Sequence, residues 1–262
     1  MNTTITGAAA LMLLTCACAA PKSDEALEAN GQDSGLGLSG QDDTADSGSL
    51  PDDSGDPADT ADTGSGGGDP VPCEVGRPGD EPDPFADILV AYAAGEGSGF
   101  GQEYLPDVVL GAPCGSGDAG SLDVVSLGRE GVILLEFDDI VLVDGEGPDL
   151  LVFENAFTGW PETGRVSVSE DGETWHEWPC DATDAAGGYP GCAGVGLVWS
   201  HPDNDIDPTN PDEAGGDAFD LADLGLSRAR FVRITDSGAN SYDGNTGGFD
   251  LDAIAVVHGE PL

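Results

Sequence analysis

The chain has 262 residues, of which 51 are Asp or Glu and only 7 are Lys or Arg, so its formal net charge is −44. This composition excludes nucleic-acid binding and docking on anionic lipid headgroups, because both draw their affinity from basic side chains. Cations, basic proteins and neutral ligands such as sugars remain as partners. The length allows one or two domains, and a hydrophobic content of 39% allows a packed core over part of the chain.

The first residues have the features of an export signal. An apolar run from Gly7 to Leu14 is too short to span a bilayer and has the length of a secretory h-region. Leu13-Leu14-Thr15-Cys16 resembles the processing site of bacterial lipoprotein signals, in which a Leu lies three residues before the lipidated Cys. The resemblance implies a signal peptide at 1–15 and lipidation of Cys16, with Cys18 as the alternative. Neither Cys is followed by Asp, which by the same analogy implies an outer-membrane lipoprotein exposed at the cell surface.

Residues 16–72 are predicted to form a lipidated N-terminus and a disordered acidic linker. Residues 19–72 hold 13 acids and one Lys, a net charge of −12, and no aromatic residue. A segment that buries so little apolar surface cannot offset the entropy lost on folding. The folded domain is therefore placed at 73–262, which carries a net charge of −32 and every Trp, Tyr and Phe of the chain.

The cysteine count agrees with export to an oxidising compartment. Four cysteines remain beyond the signal region, and an even number there favours two disulfides. Cys180 and Cys192 bracket a Gly-rich loop and are the natural pair, which leaves Cys73 with Cys114. Zinc is disfavoured because the exported body has no C-x-x-C and its His residues do not lie at zinc spacings.

Short β-rich runs separated by Gly, Pro and Asp turns predict an all-β body. The predicted strands lie within 105–113, 121–128, 131–137, 149–157, 165–169, 173–178, 194–199, 229–235 and 249–257. Ser169–Glu173 predicts a tight turn between two of them, and helical periodicity is limited to a short stretch at Leu221–Leu226. Eight or nine strands at this spacing predict one antiparallel β-sandwich or jelly roll.

Two motifs resemble the discoidin-type, galactose-binding-like β-sandwich. They are Val166-Ser-Val-Ser-Glu-Asp-Gly-Glu-Thr-Trp175 and Ala229-Arg-Phe-Val-Arg-Ile234, which occur in that superfamily in this order. The runs LVFENAF, SEDGETW, GGDAFDL and GFDLDAIAV together resemble a group of bacterial cell-surface proteins that is defined by sequence and has no assigned activity. The resemblance covers roughly residues 105–259. The chain differs from discoidin domains in having no Cys after Cys192. It also lacks the basic rim of the lipid-binding members, so phosphatidylserine binding does not carry over.

Carboxylates at alternate positions in one loop are typical of segments that wrap a hard cation. Asp203, Asp205 and Asp207 alternate in this way, although the loop lacks the Gly and Glu that an EF-hand requires. In the superfamily named above, a structural calcium often ties an early loop to an acid near the last strand. By that resemblance four further acids are candidate Ca²⁺ ligands: Glu154, Asp217, Asp220 and Asp252. The alternative is a solvated acidic surface, or adaptation to salt.

The sequence gives little support for catalysis. It has three His and no G-x-S-x-G, and with 51 acids a pair of carboxylates carries no information about acid–base chemistry. A G-x-G-x-x-G at Gly115–Gly120 leads into a predicted strand instead of a helix, so the geometry for cradling a phosphate is missing. No catalytic residue is therefore assigned.

A sugar site needs an exposed aromatic ring, and Trp160 in the loop 157–161 is the candidate ligand-binding residue. Trp175, Trp178 and Trp199 lie in predicted strands and are assigned to the core. The sequence thus predicts a non-catalytic, calcium-stabilised surface lipoprotein that binds a glycan or a cell-surface protein and reaches the membrane through its lipid anchor only. The alternatives are a structural or adhesive envelope protein without a small-molecule site, and a secreted hydrolase.

Overall fold

The computed structural model of the chain describes residues 82–240 and 247–262. The predicted signal peptide, the candidate lipidation residues Cys16 and Cys18, and the predicted linker lie outside the described residues. Within those residues every strand pairing is antiparallel, and the helices are short 3₁₀ turns. No helix in this part of the chain has the length and apolar character that a membrane crossing requires.

The elements are numbered in chain order. The strands are β1 (Ile88–Ala93), β2 (Val125–Ser126), β3 (Val132–Glu136), β4 (Ile140–Val143), β5 (Leu150–Glu154), β6 (Gly164–Ser169), β7 (His176–Glu177), β8 (Asp217–Phe219), β9 (Arg228–Ala229), β10 (Phe231–Asp236), β11 (Asp250–Val256) and β12 (Gly259–Pro261). The 3₁₀ turns are Gln102–Tyr104, Asp107–Val109, Gly117–Ala119 and Leu221–Leu224.

Two sheets face each other, as the sequence predicts for a β-sandwich. One has the strand order β1-β3-β10-β6-β7 and the other has the order β2-β11-β5-β8. A third, three-stranded sheet has the order β12-β4-β9. The chain is thus an all-β antiparallel sandwich in the part that the structure describes.

The main core lies between the two larger sheets and follows the two-residue period of the strands. Val166 and Val168 of β6 are fully buried, and so is Ile234 of β10. They pack in one cluster with Val152 of β5 and Ile254 of β11, which come from the opposite sheet. Alternation of apolar side chains in these strands therefore places one face of each sheet in the core.

A second apolar cluster includes the other face of β5 and β11. It contains Phe153 of β5 and Ala253 of β11, together with Val198 and Ala214 from the long connection between β7 and β8. Both strands are consequently buried along their whole length. This position explains their almost continuous apolar sequences, and it means that any acid on them loses contact with water.

Most of the predicted strands are confirmed, but two segments are not strands. Residues 105–113 form the 3₁₀ turn Asp107–Val109 and loop, because prolines and glycine interrupt the run. Residues 194–199 are irregular because the first three backbone N–H groups bind the Asp217 carboxylate, at 2.7, 3.0 and 3.1 Å, instead of a neighbouring strand. Within 121–128, only Val125–Ser126 is a strand.

The predicted disulfide between Cys180 and Cys192 is confirmed. Cys114 is also disulfide-bonded, and its predicted partner Cys73 lies outside the described residues. The tight turn at Ser169–Glu173 is confirmed as well: the Asp171 carboxylate accepts the backbone N–H groups of Thr174 and Glu173. These donors lower the pKa of Asp171 to about 2.

Candidate functional site

Three aromatic side chains are exposed on loops, and we call them the aromatic face: Phe157, Trp160 and Trp199. Their exposed fractions are 42%, 61% and 47%. The first two belong to one tight turn after β5, in which the backbone N–H of Trp160 donates to the carbonyl of Phe157 at 2.9 Å. Large exposed rings are costly to leave in water and are common at binding surfaces.

A glycine turn separates the rings of Trp199 and Phe157. A Cβ atom on Gly117 would lie 2.5 Å from the Trp199 ring, and a Cβ on Gly120 would lie 2.5 Å from the Phe157 ring. Both glycines have positive φ, and the N–H of Gly120 donates to the carbonyl of Gly117 at 3.1 Å. The G-x-G-x-x-G pattern thus has a physical role, because only glycine lets both rings pack on this turn.

The four tryptophans differ in burial, and one of them differs from the sequence prediction. Trp160 is exposed, as predicted for the ligand-binding candidate. Trp178 lies in the core, with its ring centroid 5.0 Å from that of Phe219. Trp175 is only half-buried, and Arg233 lies over its ring at 4.5 Å. The sequence assigns Trp199 to the core, but its side chain is 47% exposed and lies against Gly117 of the glycine turn.

A pair of buried carboxylates lies next to the glycine turn. Asp252 of β11 is 2% exposed, and its two oxygens lie 3.2 and 3.0 Å from the backbone N–H donor of Cys114. Ligand atoms of Cys114, Asp123 and Asp252 lie within 4.8 Å of one another. Burial, reinforced by the nearby Asp123 carboxylate, raises the pKa of Asp252 well above its usual range. Because Cys114 is disulfide-bonded, its sulfur is not a thiolate ligand, so the two carboxylates are the anionic ligands that this group offers to a cation.

Glu154, at the end of β5, is the least compensated acid in the described residues. It is 1% exposed, and neither carboxylate oxygen has a hydrogen-bond partner there. Burial, followed by repulsion from Asp250 and Glu162, raises its pKa well above the usual range. Burial also raises the pKa of Glu162 to about 8 and that of Asp250 to about 7, with Asp250 itself adding to the shift of Glu162.

Glu154, Asn155 and Asp252 line one cleft with the glycine turn, and this cleft is too tight to admit a water molecule. The Asn155 side-chain oxygen, like the two oxygens of Glu154, is buried without a hydrogen-bond partner in the described residues. Unsatisfied oxygens in a dry cleft are the kind of donor that a hard cation binds.

The seven predicted calcium ligands do not meet in one place. Among the described residues, two groups of three potential ligands come together, and each contains a single predicted residue: Asp252 in the group above, and Asp220 beside Asp144 and Asp149. Asp220 accepts the N–H of Ala222 and caps the 3₁₀ turn that follows it. Asp149 accepts from Gly145, Leu221 and His258, so hydrogen bonds compensate its charge.

The remaining predicted ligands have other roles. Asp217 is a backbone anchor, since its carboxylate accepts the three N–H groups described above. Asp203, Asp205 and Asp207 lie on an exposed loop, where Asp207 accepts the N–H and hydroxyl of Thr209 at 2.9 and 2.8 Å. Asp203 and Asp205, the two other acids of this loop, belong to no cluster of potential metal ligands within the described residues.

A groove of about 970 Å³ lies beside the disulfide-closed segment. Its walls include four acids and three aromatic residues: Glu177, Asp181, Asp217, Asp223, Trp178, Tyr189 and Phe219. None of the residues of the aromatic face lines this groove, so the two are separate surfaces.

No protein-family model matches this chain, and no curated protein matches it. The galactose-binding-like resemblance therefore stays a prediction from the motifs.

Proposed function

We propose that the chain is a non-catalytic, calcium-stabilised binding module that takes up a neutral saccharide on the aromatic face. The exposure of Phe157, Trp160 and Trp199 is the observation that carries this proposal: the rings of Phe157 and Trp199 pack on one glycine turn, and Trp160 shares a tight turn with Phe157. Aromatic rings stack on the C–H faces of sugar rings, and such contacts need little rearrangement when the rings are already seated.

Charge supports a neutral ligand. Residues 73–262 carry a net charge of −32, which repels nucleic acid, sulfated glycans and anionic lipid. Glu154 and Asp252, beside the glycine turn, are 1% and 2% exposed, while Asp118 in that turn is exposed and accepts the hydroxyl of Thr158 at 3.0 Å. A glycosidase needs two carboxyl groups that reach the scissile bond, so the burial of Glu154 and Asp252 removes them as candidates for such a pair.

Calcium fits the Asp123–Asp252 pair. A cation between these carboxylates would relieve their mutual repulsion and would tie β11 to the loop at Cys114, which leads directly into the glycine turn. The geometry agrees with the predicted tie between an early loop and an acid near the last strand, here with Asp123 as an additional ligand. The cation thereby stabilises the turn on which the rings of Phe157 and Trp199 rest.

Export and lipid anchoring at the outer membrane belong to the same proposal and are supported by the N-terminal sequence alone. Metabolic labelling with palmitate in a lipoprotein-processing bacterium tests them, with Cys16→Ser and Cys18→Ser as a matched pair. Loss of label in Cys16→Ser alone supports the assigned site. Equal labelling of both variants and the wild type would refute it.

A glycan array tests the saccharide proposal. The full chain is expected to bind a restricted set of neutral glycans in Ca²⁺, and Trp160→Ala is expected to lose that binding. An array without specific binders, at protein concentrations up to the high micromolar range, would favour the structural or adhesive envelope protein. Turnover of a glycoside would favour the hydrolase.

A further inference from the structure

The loop that carries Phe157 and Trp160 begins and ends at a carboxylate. Glu154 is the last residue of β5, and Glu162 lies two residues before the start of β6. Glu154 lies opposite Leu251 in the β5–β11 pairing, and Glu162 accepts the backbone N–H of Gly248 at 3.1 Å, so both acids flank the segment that carries Asp250. Repulsion from Asp250 raises the pKa of both. Three carboxylates therefore converge at the base of the aromatic loop, 155–161.

Two other buried acids in the described residues, Asp217 and Asp236, accept several hydrogen bonds each. Asp217 accepts three backbone N–H groups. Asp236 accepts the N–H groups of Glu130, Gly238 and Phe249 and the side-chain amide of Asn240, all at 2.8 to 2.9 Å. A buried carboxylate is ordinarily held in this way, because an uncompensated charge in the interior costs several kcal/mol.

The three acids at the loop base have less of that compensation. The backbone of Asp250 lowers the pKa of Glu154 and the Ser126 hydroxyl lowers that of Asp250, but burial outweighs both effects. Within the described residues, neither the two oxygens of Glu154 nor Oδ1 of Asp250 have a donor at hydrogen-bonding distance and angle. Glu162 accepts one N–H, from Gly248 at 3.1 Å. In the same part of the chain, Arg ion pairs form with Glu136 and Glu170 and with none of these three acids.

We propose that Glu154, Glu162 and Asp250 bind a divalent cation, a second calcium-class site distinct from the Asp123–Asp252 pair. The oxygens of the three acids do not all lie within 4.8 Å of one another, so binding draws the side chains together around the ion. Hard cations accept such carboxylate sets at 2.3–2.6 Å and complete their shell with backbone oxygens and water.

Binding at this position would cross-link both ends of the aromatic loop. Glu154 and Glu162 are eight positions apart in the chain, and the turn between them presents Phe157 and Trp160 to solvent. A cation that holds both carboxylates fixes the loop entry relative to its exit. The orientation of the two rings then depends on the cation, whatever ligand the rings contact.

Calorimetric titration of the full chain with Ca²⁺, after removal of metal by EDTA, tests the site. The wild type is expected to bind two Ca²⁺ ions, and Glu154→Gln and Glu162→Gln are each expected to lose one or to bind it at least tenfold more weakly. Asp203→Asn, which removes one charge from an exposed loop, should keep wild-type binding. Asp252→Asn should lose the other ion and keep this one.

Hydrogen exchange supplies a readout that is independent of any saccharide. Ca²⁺ should slow exchange of the amides of 155–161 in the wild type and in Asp252→Asn, but not in Glu154→Gln. Glu162 is only partly buried, so Glu162→Gln keeps the test valid if Glu154→Gln fails to fold. Wild-type stoichiometry and affinity in a folded Glu154→Gln or Glu162→Gln variant, or a wild type that binds no Ca²⁺, would overturn the site. A failed glycan array would leave it intact.

Discussion

The ring of Trp199 lies directly over Gly117, so that a Cβ atom on this glycine would be 2.5 Å from the ring. Gly117 also has a φ of 61°, which an L-residue adopts at a cost. Gly117→Ala is therefore expected to displace the Trp199 ring, to lower the free energy of unfolding by about 1–3 kcal/mol and to weaken saccharide binding. Chemical denaturation and indole fluorescence measure these effects.

Gly188→Ala is the matched control for that change. Gly188 has a φ of 76°, and nothing lies within 4 Å of the position of its Cβ. Gly188→Ala should therefore lower the free energy of unfolding through backbone strain alone, with no change in indole fluorescence or in saccharide binding. Equal behaviour of the two variants would contradict the packing role of Gly117.

The carboxylate of Asp217 accepts three backbone N–H groups, and a role as an anchor instead of a cation ligand makes a second prediction. Asp217→Ala leaves three backbone N–H groups without an acceptor and should lower the free energy of unfolding by about 3 kcal/mol. Its stability should still respond to Ca²⁺. Asp252→Asn should give the reverse result. In EDTA its free energy of unfolding should fall less than that of Asp217→Ala, and Ca²⁺ should stabilise it less than it stabilises the wild type. A lost Ca²⁺ response in Asp217→Ala would assign this acid to the cation site after all.

Calcium should stabilise the fold by mass action. At a Ca²⁺ concentration one hundred times its Kd, the gain in the free energy of unfolding is about 2.7 kcal/mol for one site. The melting temperature should therefore rise with Ca²⁺ and fall with EDTA. NaCl at matched ionic strength controls for general screening of the acidic surface. An equal rise with NaCl alone would favour the solvated acidic surface.

Asp87 gives a prediction of pH dependence. Burial, with added repulsion from Asp139 and Asp138, raises its pKa to about 6. Because the folded state holds this proton more tightly than the unfolded state does, the contribution of Asp87 to stability falls as pH rises from about 4 to 6. Asp87→Asn should therefore stabilise the fold at pH 8 and leave it unchanged near pH 4, since Asn can still accept the N–H of Asp138.

The change in stability at neutral pH should have the opposite sign in Asp171→Asn to that in Asp87→Asn. The pKa of Asp171 is lowered to about 2, so its ionised form stabilises the fold above pH 4, and the Asn variant should be less stable at neutral pH. Thermal unfolding of Asp87→Asn from pH 4 to pH 8, and of Asp171→Asn from about pH 2 to pH 5, each beside the wild type, measures the two slopes. Parallel slopes for Asp87→Asn and the wild type would contradict the assignment to Asp87.

The core of the fold could be predicted from the sequence because its strands obey simple patterns. Val166 and Val168 alternate with serines in β6, and the unbroken apolar runs of β5 and β11 match strands that are buried on both faces. The segment 194–199 has the same apolar character and is not a strand. The N–H groups of its first three residues go to the carboxylate of Asp217, more than twenty residues later, and no local pattern reveals such a contact.

The candidate sites were harder to predict. Trp160 stands out because Gly159 and Pro161 mark a loop, whereas Trp199 was hidden in the same misassigned segment. Glu154 was named through the resemblance, but Glu162 and Asp250 carry no signal among 51 acids. What distinguishes them is burial without donors, and burial becomes visible only when the sheets are assembled.

Equilibrium binding of one array-selected neutral oligosaccharide to the full chain in Ca²⁺ tests the central claim most directly. Trp160→Ala and Trp199→Ala should each weaken binding at least tenfold with little change in melting temperature, because both rings are exposed. Trp175→Ala, which removes an indole away from the aromatic face, should keep the wild-type Kd. Unchanged affinity in both Trp160→Ala and Trp199→Ala would contradict the proposal that this face binds the ligand.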